Sequence, residues 1–214
     1  MSRFLDLLNE KQLTLVAEVG EWSLPFAKDG VAAGADAFIV SYFDGCEKIL
    51  EDILIPCGIS FDSKIDKKDL QKYKDIAEKF DFLAVGLKDV KLFSKVNIAK
   101  IANLNDKFNI DQLVSITEKE VQGINAAIIP SSQEGKDLLI GDLQNYIAIA
   151  ISSNLPVIIP TQKNIKASEI PIIWDTGAKG LFVTIKGLTG DSASDFTKKI
   201  KEYKKAISAI DVDA

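Results

Sequence analysis

Glu18, Lys88 and Lys186 each sit at or just beyond the end of a short apolar run, in "LTLVAEV", "FLAVGLK" and "LFVTIK". A carboxylate beside ammonium groups is equipment for moving a proton on a carbonyl compound. The carboxylate takes the proton, and a lysine stabilises the enolate oxygen or forms an imine if its neighbours lower its pKa. Strand side chains alternate, so one parity faces covering helices and the other faces inward. Leu13, Leu15 and Ala17 take the helix-facing parity and turn Thr14, Val16 and Glu18 inward. Leu83, Val85 and Leu87 likewise turn Ala84, Gly86 and Lys88 inward, and Leu181, Val183 and Ile185 do so for Phe182, Thr184 and Lys186. The same rule brings Ser41, Ser60 and Thr161 to the inner side of their strand ends. Strand ends also carry polar groups simply because they meet solvent, so a plain Glu–Lys ion pair is the alternative.

Positioning these groups requires a repeated architecture. Strand-like runs occur at "LTLVAEV" (13–19), "AFIVSY" (37–42), "PCGIS" (56–60), "FLAVG" (82–86), "NIAKIAN" (97–103), "AAIIP" (126–130), "PVIIPT" (156–161) and "LFVTI" (181–185). Helical periodicity fills segments between or after them, over 67–80, 141–153 and 192–210. Near-continuous apolar strands alternating with helices indicate a parallel sheet covered on both faces. "GADAFIV", "GINAAII" and "GAKGLFV" repeat one plan, with a glycine ending a helix just before a strand. Eight such units in 214 residues predict an α/β fold, a single (β/α)8 TIM barrel domain over 1–214. The fourth unit has room for only a turn or two of helix, in "LKDVKLFSKV" (87–96). A short amphipathic helix over 2–10 is expected near the barrel's bottom or side. No G-x-G-x-x-G follows the first strand, which counts against a dinucleotide fold.

Barrel enzymes work at the C-terminal ends of their strands, and many hold a phosphate on the last two loops. Here those loops read "TQKNI" (161–165) and "KGLTGDS" (186–192). Ser41, Ser60, Thr161, Lys163, Gly187, Thr189 and Gly190 are the candidate substrate- and phosphate-binding residues. Ser192 with Asp195 also forms a capping box, and Asp191 would repel an anion, so a cap and a cradle both fit the segment. The polar segment 128–142 reads as a lid over the mouth or as a solvated loop. Lys100 lies mid-strand among Ile98, Ala99, Ile101 and Ala102. Snorkelling outward between helices, a buried ion pair and a Schiff base are all open to it.

The pattern resembles the ribulose-phosphate-binding barrels, a superfamily of small phosphate-binding (β/α)8 enzymes. The first strand, "LVAEVGEWS", is similar to the opening strand of indole-glycerol-phosphate synthases. That resemblance puts Glu18 on the family's functional glutamate, while Gly20 stands where the family has a lysine. It implies a phosphorylated substrate held at the C-terminal mouth.

Composition narrows the chemistry. No histidine is present, which excludes histidine bases, Ser-His and Cys-His pairs and histidine-ligated metals. Arg3 is the sole arginine, so an anion would rest on backbone N–H groups and lysines. A net charge of −5 argues against nucleic-acid or anionic-membrane partners. Cys46 and Cys57 lack zinc-ligand spacing and read as reduced thiols of a cytoplasmic protein, and no run is long enough to cross a bilayer. The expected activity is a metal-independent lyase or isomerase on a small phosphorylated or carboxylated metabolite. Two alternatives stay open. One is a Mg²⁺ enzyme using Glu18, Asp44, Asp62 and Glu134, and the other is a non-catalytic binding or regulatory barrel. The expected partner is a small molecule, and a homo-oligomer is open.

Overall fold

The computed structural model describes residues 2–19, 24–61, 65–114, 120–184 and 193–210. Eight strands form a closed parallel barrel in chain order: β1 (Thr14–Val19), β2 (Ala37–Ser41), β3 (Cys57–Phe61), β4 (Phe82–Gly86), β5 (Ala99–Asn103), β6 (Gly123–Asn125), β7 (Val157–Pro160) and β8 (Gly180–Val183). Helix α1 (Arg3–Glu10) precedes β1. The α-helices α2 (Leu24–Ala32), α3 (Leu70–Ala77), α4 (Ile110–Val114), α5 (Ile140–Ser152), α6 (Ile170–Asp175) and α7 (Ala193–Ser208) follow β1, β3, β5, β6, β7 and β8. After β2 and β4 the chain instead makes 3-10 turns, Cys46–Glu51 and Leu87–Phe93. Followed through its paired residues, a circuit that leaves β1 at Glu18 returns level with residue 10, a shear of eight. That is the shear of the (β/α)8 barrel.

Both faces of the sheet are buried, which is why its strands read as nearly unbroken apolar runs. The outer face packs Leu15, Ala17, Phe38, Val40, Leu83, Val85, Leu181 and Val183 against the helices. The inner face encloses Val16, Ala37, Ile39, Phe82, Ala84, Ile101, Ile158 and Phe182. With shear eight, inward residues of alternate strands stack in layers of four. The lowest full layer is Ala37, Phe82, Gly123 and Gly180, and the next is Val16, Gly58, Ile101 and Ile158. Above them come Ile39, Ala84, Asn125 and Phe182, and then Glu18, Ser60, Asn103 and Pro160.

Large and small residues are matched between these layers. A Cβ on Gly58 would lie 2.3 Å from the Phe82 ring, so only glycine lets that ring fill the axis. From below, α1 inserts Phe4 and Leu8 into the inner cluster, and Phe4 stacks on Phe82 with centroids 3.8 Å apart. The N-terminal helix therefore closes the bottom of the barrel.

Four expectations are corrected. The sixth strand is Gly123–Asn125, not the more apolar 126–130, because its register is set by pairing with β5 and β7. Gly123 accordingly opens that strand instead of capping a helix. By contrast, Gly34 and Gly177 do take positive φ, of 104° and 88°, where helices end. Thr161 has the outward parity of Val157 and Ile159, because Ile158 is the inward residue of that strand. Lys88 escapes strand alternation altogether. β4 stops at Gly86, and Lys88 lies exposed in the 3-10 turn that follows.

Candidate functional site at the barrel mouth

The lower layers are apolar, and polarity begins near the top. Asn125 is the polar member of the third layer, and Glu18, Ser60 and Asn103 share the fourth. One step higher lie the inward positions of Ser41, Gly86 and Thr184. Thr184 follows Val183, which pairs with Ala17, so Glu18 and Thr184 are neighbours across the β1–β8 seam. Glu18 and Ser41 are half-buried, and Ser60 and Thr184 are buried. Strand alternation thus brings Glu18, Ser41 and Ser60 to one end of the barrel, the C-terminal end.

A second carboxylate joins them that sequence alternation could not reveal. The Asp89 Oδ2 lies 3.6 Å from where a Cβ on the inward-facing Gly86 would project. The 3-10 turn folds Asp89 back over the end of β4, and no strand periodicity reports such a turn. Asn103 and Asn125 were also missed. The Asn125 amide nitrogen donates to the Asn103 Oδ1 at 3.0 Å across the β5–β6 pair. For Asn103 the sequence holds the signal, since it is the last inward residue of its strand, whereas Asn125 becomes inward only once its partners on β5 and β7 place β6.

Other candidates are committed elsewhere. The Thr161 hydroxyl accepts the Thr184 N–H at 2.9 Å and so locks β7 to β8. Lys163 is buried, with its ammonium 3.2 Å from the Asp142 carboxylate. Asp142 also accepts the Leu139 N–H at the start of α5. This pair belongs to a seam between the loops after β6 and β7. Gln162 accepts the Ile129 N–H at 3.2 Å and donates to the Ile129 carbonyl and to Glu134, while Gly135 N–H donates to the Gln162 carbonyl at 2.8 Å. The polar segment 128–142 is therefore stitched to its neighbour over much of its length. Lys100 has the outward parity of Ala102, yet it does not reach solvent. Its ammonium turns toward the bottom of the barrel and donates to the Val96 and Ile98 carbonyls at 2.7 and 3.3 Å. Burial pushes its pKa down.

For the carboxylate-metal set, Asp44 accepts from the Tyr42 hydroxyl at 2.8 Å and from Lys72 at 2.7 Å, and Glu134 accepts from Gln162. Among the described residues, no three Asp, Glu, Cys or His side chains gather as a metal site. Lys186, Gly187, Thr189 and Gly190 lie outside the described residues, as do Asp62, Asp191 and Ser192. Among the described residues, no helix is long and apolar enough to cross a membrane.

No family model matches this chain, and no curated protein matches it. Solved structures share its fold. Tryptophan synthase subunit alpha from Legionella pneumophila str. Paris has a TM-score of 0.69 at 13% identity, over 98% of this chain and 100% of that one. Thiamine phosphate pyrophosphorylase from Pyrococcus furiosus has a TM-score of 0.66 at 13% identity, over 94% and 98%. Native KDPGal has a TM-score of 0.69 at 11% identity, over 92% and 95%. At such identities the likeness shows the fold, a (β/α)8 barrel of the kind these enzymes use.

Proposed function

We propose that the C-terminal mouth binds a small phosphorylated or carboxylated metabolite and that the protein acts on it as a metal-independent lyase or isomerase. The observation that carries this reading is the abrupt change from apolar to polar inward layers, with Glu18 at that boundary. A carboxylate held there reaches a ligand entering along the axis, and water is kept out from below by the Phe4–Phe82 plug. Glu18 takes a proton from a carbon next to a carbonyl, the C–H electron pair forms the enolate C=C bond, and the carbonyl π pair moves onto oxygen. Lys88 and Lys186 are the cations assigned to the mouth. The Ser41 and Ser60 hydroxyls and the 186–190 segment hold the anionic end of the ligand. Thr161 and Lys163 are given a supporting role, since Thr161 binds β8 and Lys163 binds Asp142. A neighbour named for a phosphorylated compound lends support to a phosphate ester as ligand.

The test uses sugar phosphates and small carboxylic acids in D₂O. Wild-type protein should be stabilised by a member of the panel and should catalyse deuterium uptake at the carbon next to its carbonyl. Glu18→Gln should retain the stabilisation and lose exchange by about 100-fold or more. If no member of the panel raises the melting temperature, the proposed substrate class is wrong.

A further inference from the structure

We infer that Asn103 is the electrophilic partner of Glu18, its amide N–H groups held toward the barrel mouth by Asn125 to bind the substrate's carbonyl oxygen. The inference rests on the proton transfer proposed above and adds the group that receives the developing negative charge. Asn103 belongs to the same inward layer as Glu18, on β5, the strand across the closed barrel from β1. A ligand on the axis therefore has the carboxylate on one side and this amide on the other. Asn103 is half-buried at the edge of the mouth, whereas Asn125, one layer lower, is 8% exposed.

The orientation of the pair follows from which atoms are sealed. Asn125 donates to the Asn103 oxygen, and its own Oδ1 is buried with no partner among the described residues. Reversing both amides would bury the Asn125 NH₂ group there instead, leaving N–H donors unpaired in place of one acceptor. Orphaned buried N–H groups are rarer in proteins than under-satisfied carbonyl oxygens. The hydrogen bond thus occupies the Asn103 oxygen at the inner end and leaves its Nδ2 toward the half-exposed end. With no histidine and a single arginine, far away on α1, such a neutral donor fills a role the composition otherwise leaves open.

In the step itself, the proton passes from carbon to the Glu18 carboxylate. The C–H pair becomes the C=C bond, and the carbonyl π pair moves to oxygen, which accepts a hydrogen bond from the Asn103 Nδ2–H. Asn103 is thus a catalytic residue, and Asn125 is a positioning residue acting through it.

Two measurements test this. In ¹⁵N-labelled protein without ligand, the Asn125 side-chain N–H pair should be protected from solvent exchange and the Asn103 pair should exchange rapidly. The opposite pattern overturns the inference whether or not the protein is an enzyme. The second measurement is deuterium uptake from D₂O into dihydroxyacetone phosphate, ribulose 5-phosphate and pyruvate. Asn103→Asp should lower kcat by about 100-fold, the usual cost of removing one oxyanion donor, with KM little changed. Asn125→Leu should lower kcat by less, again without raising KM, and both variants are first checked for cooperative melting. Exchange that survives Asn103→Asp would remove Asn103 from catalysis while leaving the Glu18 reading intact. Absence of exchange by the wild type would remove both.

Discussion

A thiol on the helix-facing side of a barrel strand has no water to stabilise its thiolate. Cys57 is buried there, its Sγ donating to the Ile55 carbonyl at 3.3 Å, and burial with the nearby Asp81 charge pushes its pKa up to about 12. The unfolded chain gives up this proton near the ordinary thiol pKa of about 8.5, so the folded state binds more protons between the two values. The raised pKa therefore contributes stability that is fully present below the unfolded value and is lost as pH rises toward 12. Urea unfolding should show stability falling with pH above about 9. That slope should flatten in Cys57→Ala. Alkylation of native Cys57 as fast as free cysteine at pH 8 would contradict the burial argument.

Helix α1 works as a plug, and its residues explain why. Phe4 and Leu8 are one helical turn apart, so both point to one face, and that face meets the open lower end of the barrel. Thr14 strengthens the junction by donating its hydroxyl to the Leu7 carbonyl at 2.9 Å. Phe4→Ala should cost about 3–5 kcal/mol, because the Phe82 ring would lose its stacking partner and face a cavity. Gly58→Ala should also destabilise the barrel, since the new methyl would meet the same ring. Adding Phe82→Leu to Gly58→Ala should recover part of that loss. Purely additive effects in the double variant, read by chemical denaturation, would show that the two sites do not share the axis as described.

A barrel must also be closed, and the two ends of the chain meet where β1 pairs with β8. Asp36, just before β2, sits on the other side of β1, at its edge with β2. It accepts from Lys11, from Lys204 of α7 at 2.6 Å, and from the Leu15 N–H of β1 at 3.0 Å. One buried carboxylate thereby ties the chain's first strand to its last helix. Asp36→Ala would leave two ammonium groups facing each other and a strand N–H unpaired. The expected cost is about 2–3 kcal/mol. The loss should appear as faster amide exchange in both β1 and α7; a change confined to one of them would mean that Asp36 does not couple the ends.

The sequence by itself determined seven of the eight strands, the closed α/β architecture and the inward parity of Glu18, Ser41, Ser60 and Thr184, because alternation is a local property of each strand. It also determined the chemistry that the absence of histidine excludes. Only the tertiary structure decided what depends on neighbours distant in the chain. The apolar run 126–130 reads as a better strand than Gly123–Asn125, yet the partners on β5 and β7 fix the ladder and so bring Asn125 beneath Asn103. The sequence could show that Lys163 and Lys100 carry charge, but not that Asp142 and two backbone carbonyls hold them. The mouth's second carboxylate, Asp89, depends on a 3-10 turn folding back over Gly86. A side chain's partners are set by the folding of segments far away in sequence, and no pattern within a single strand records them.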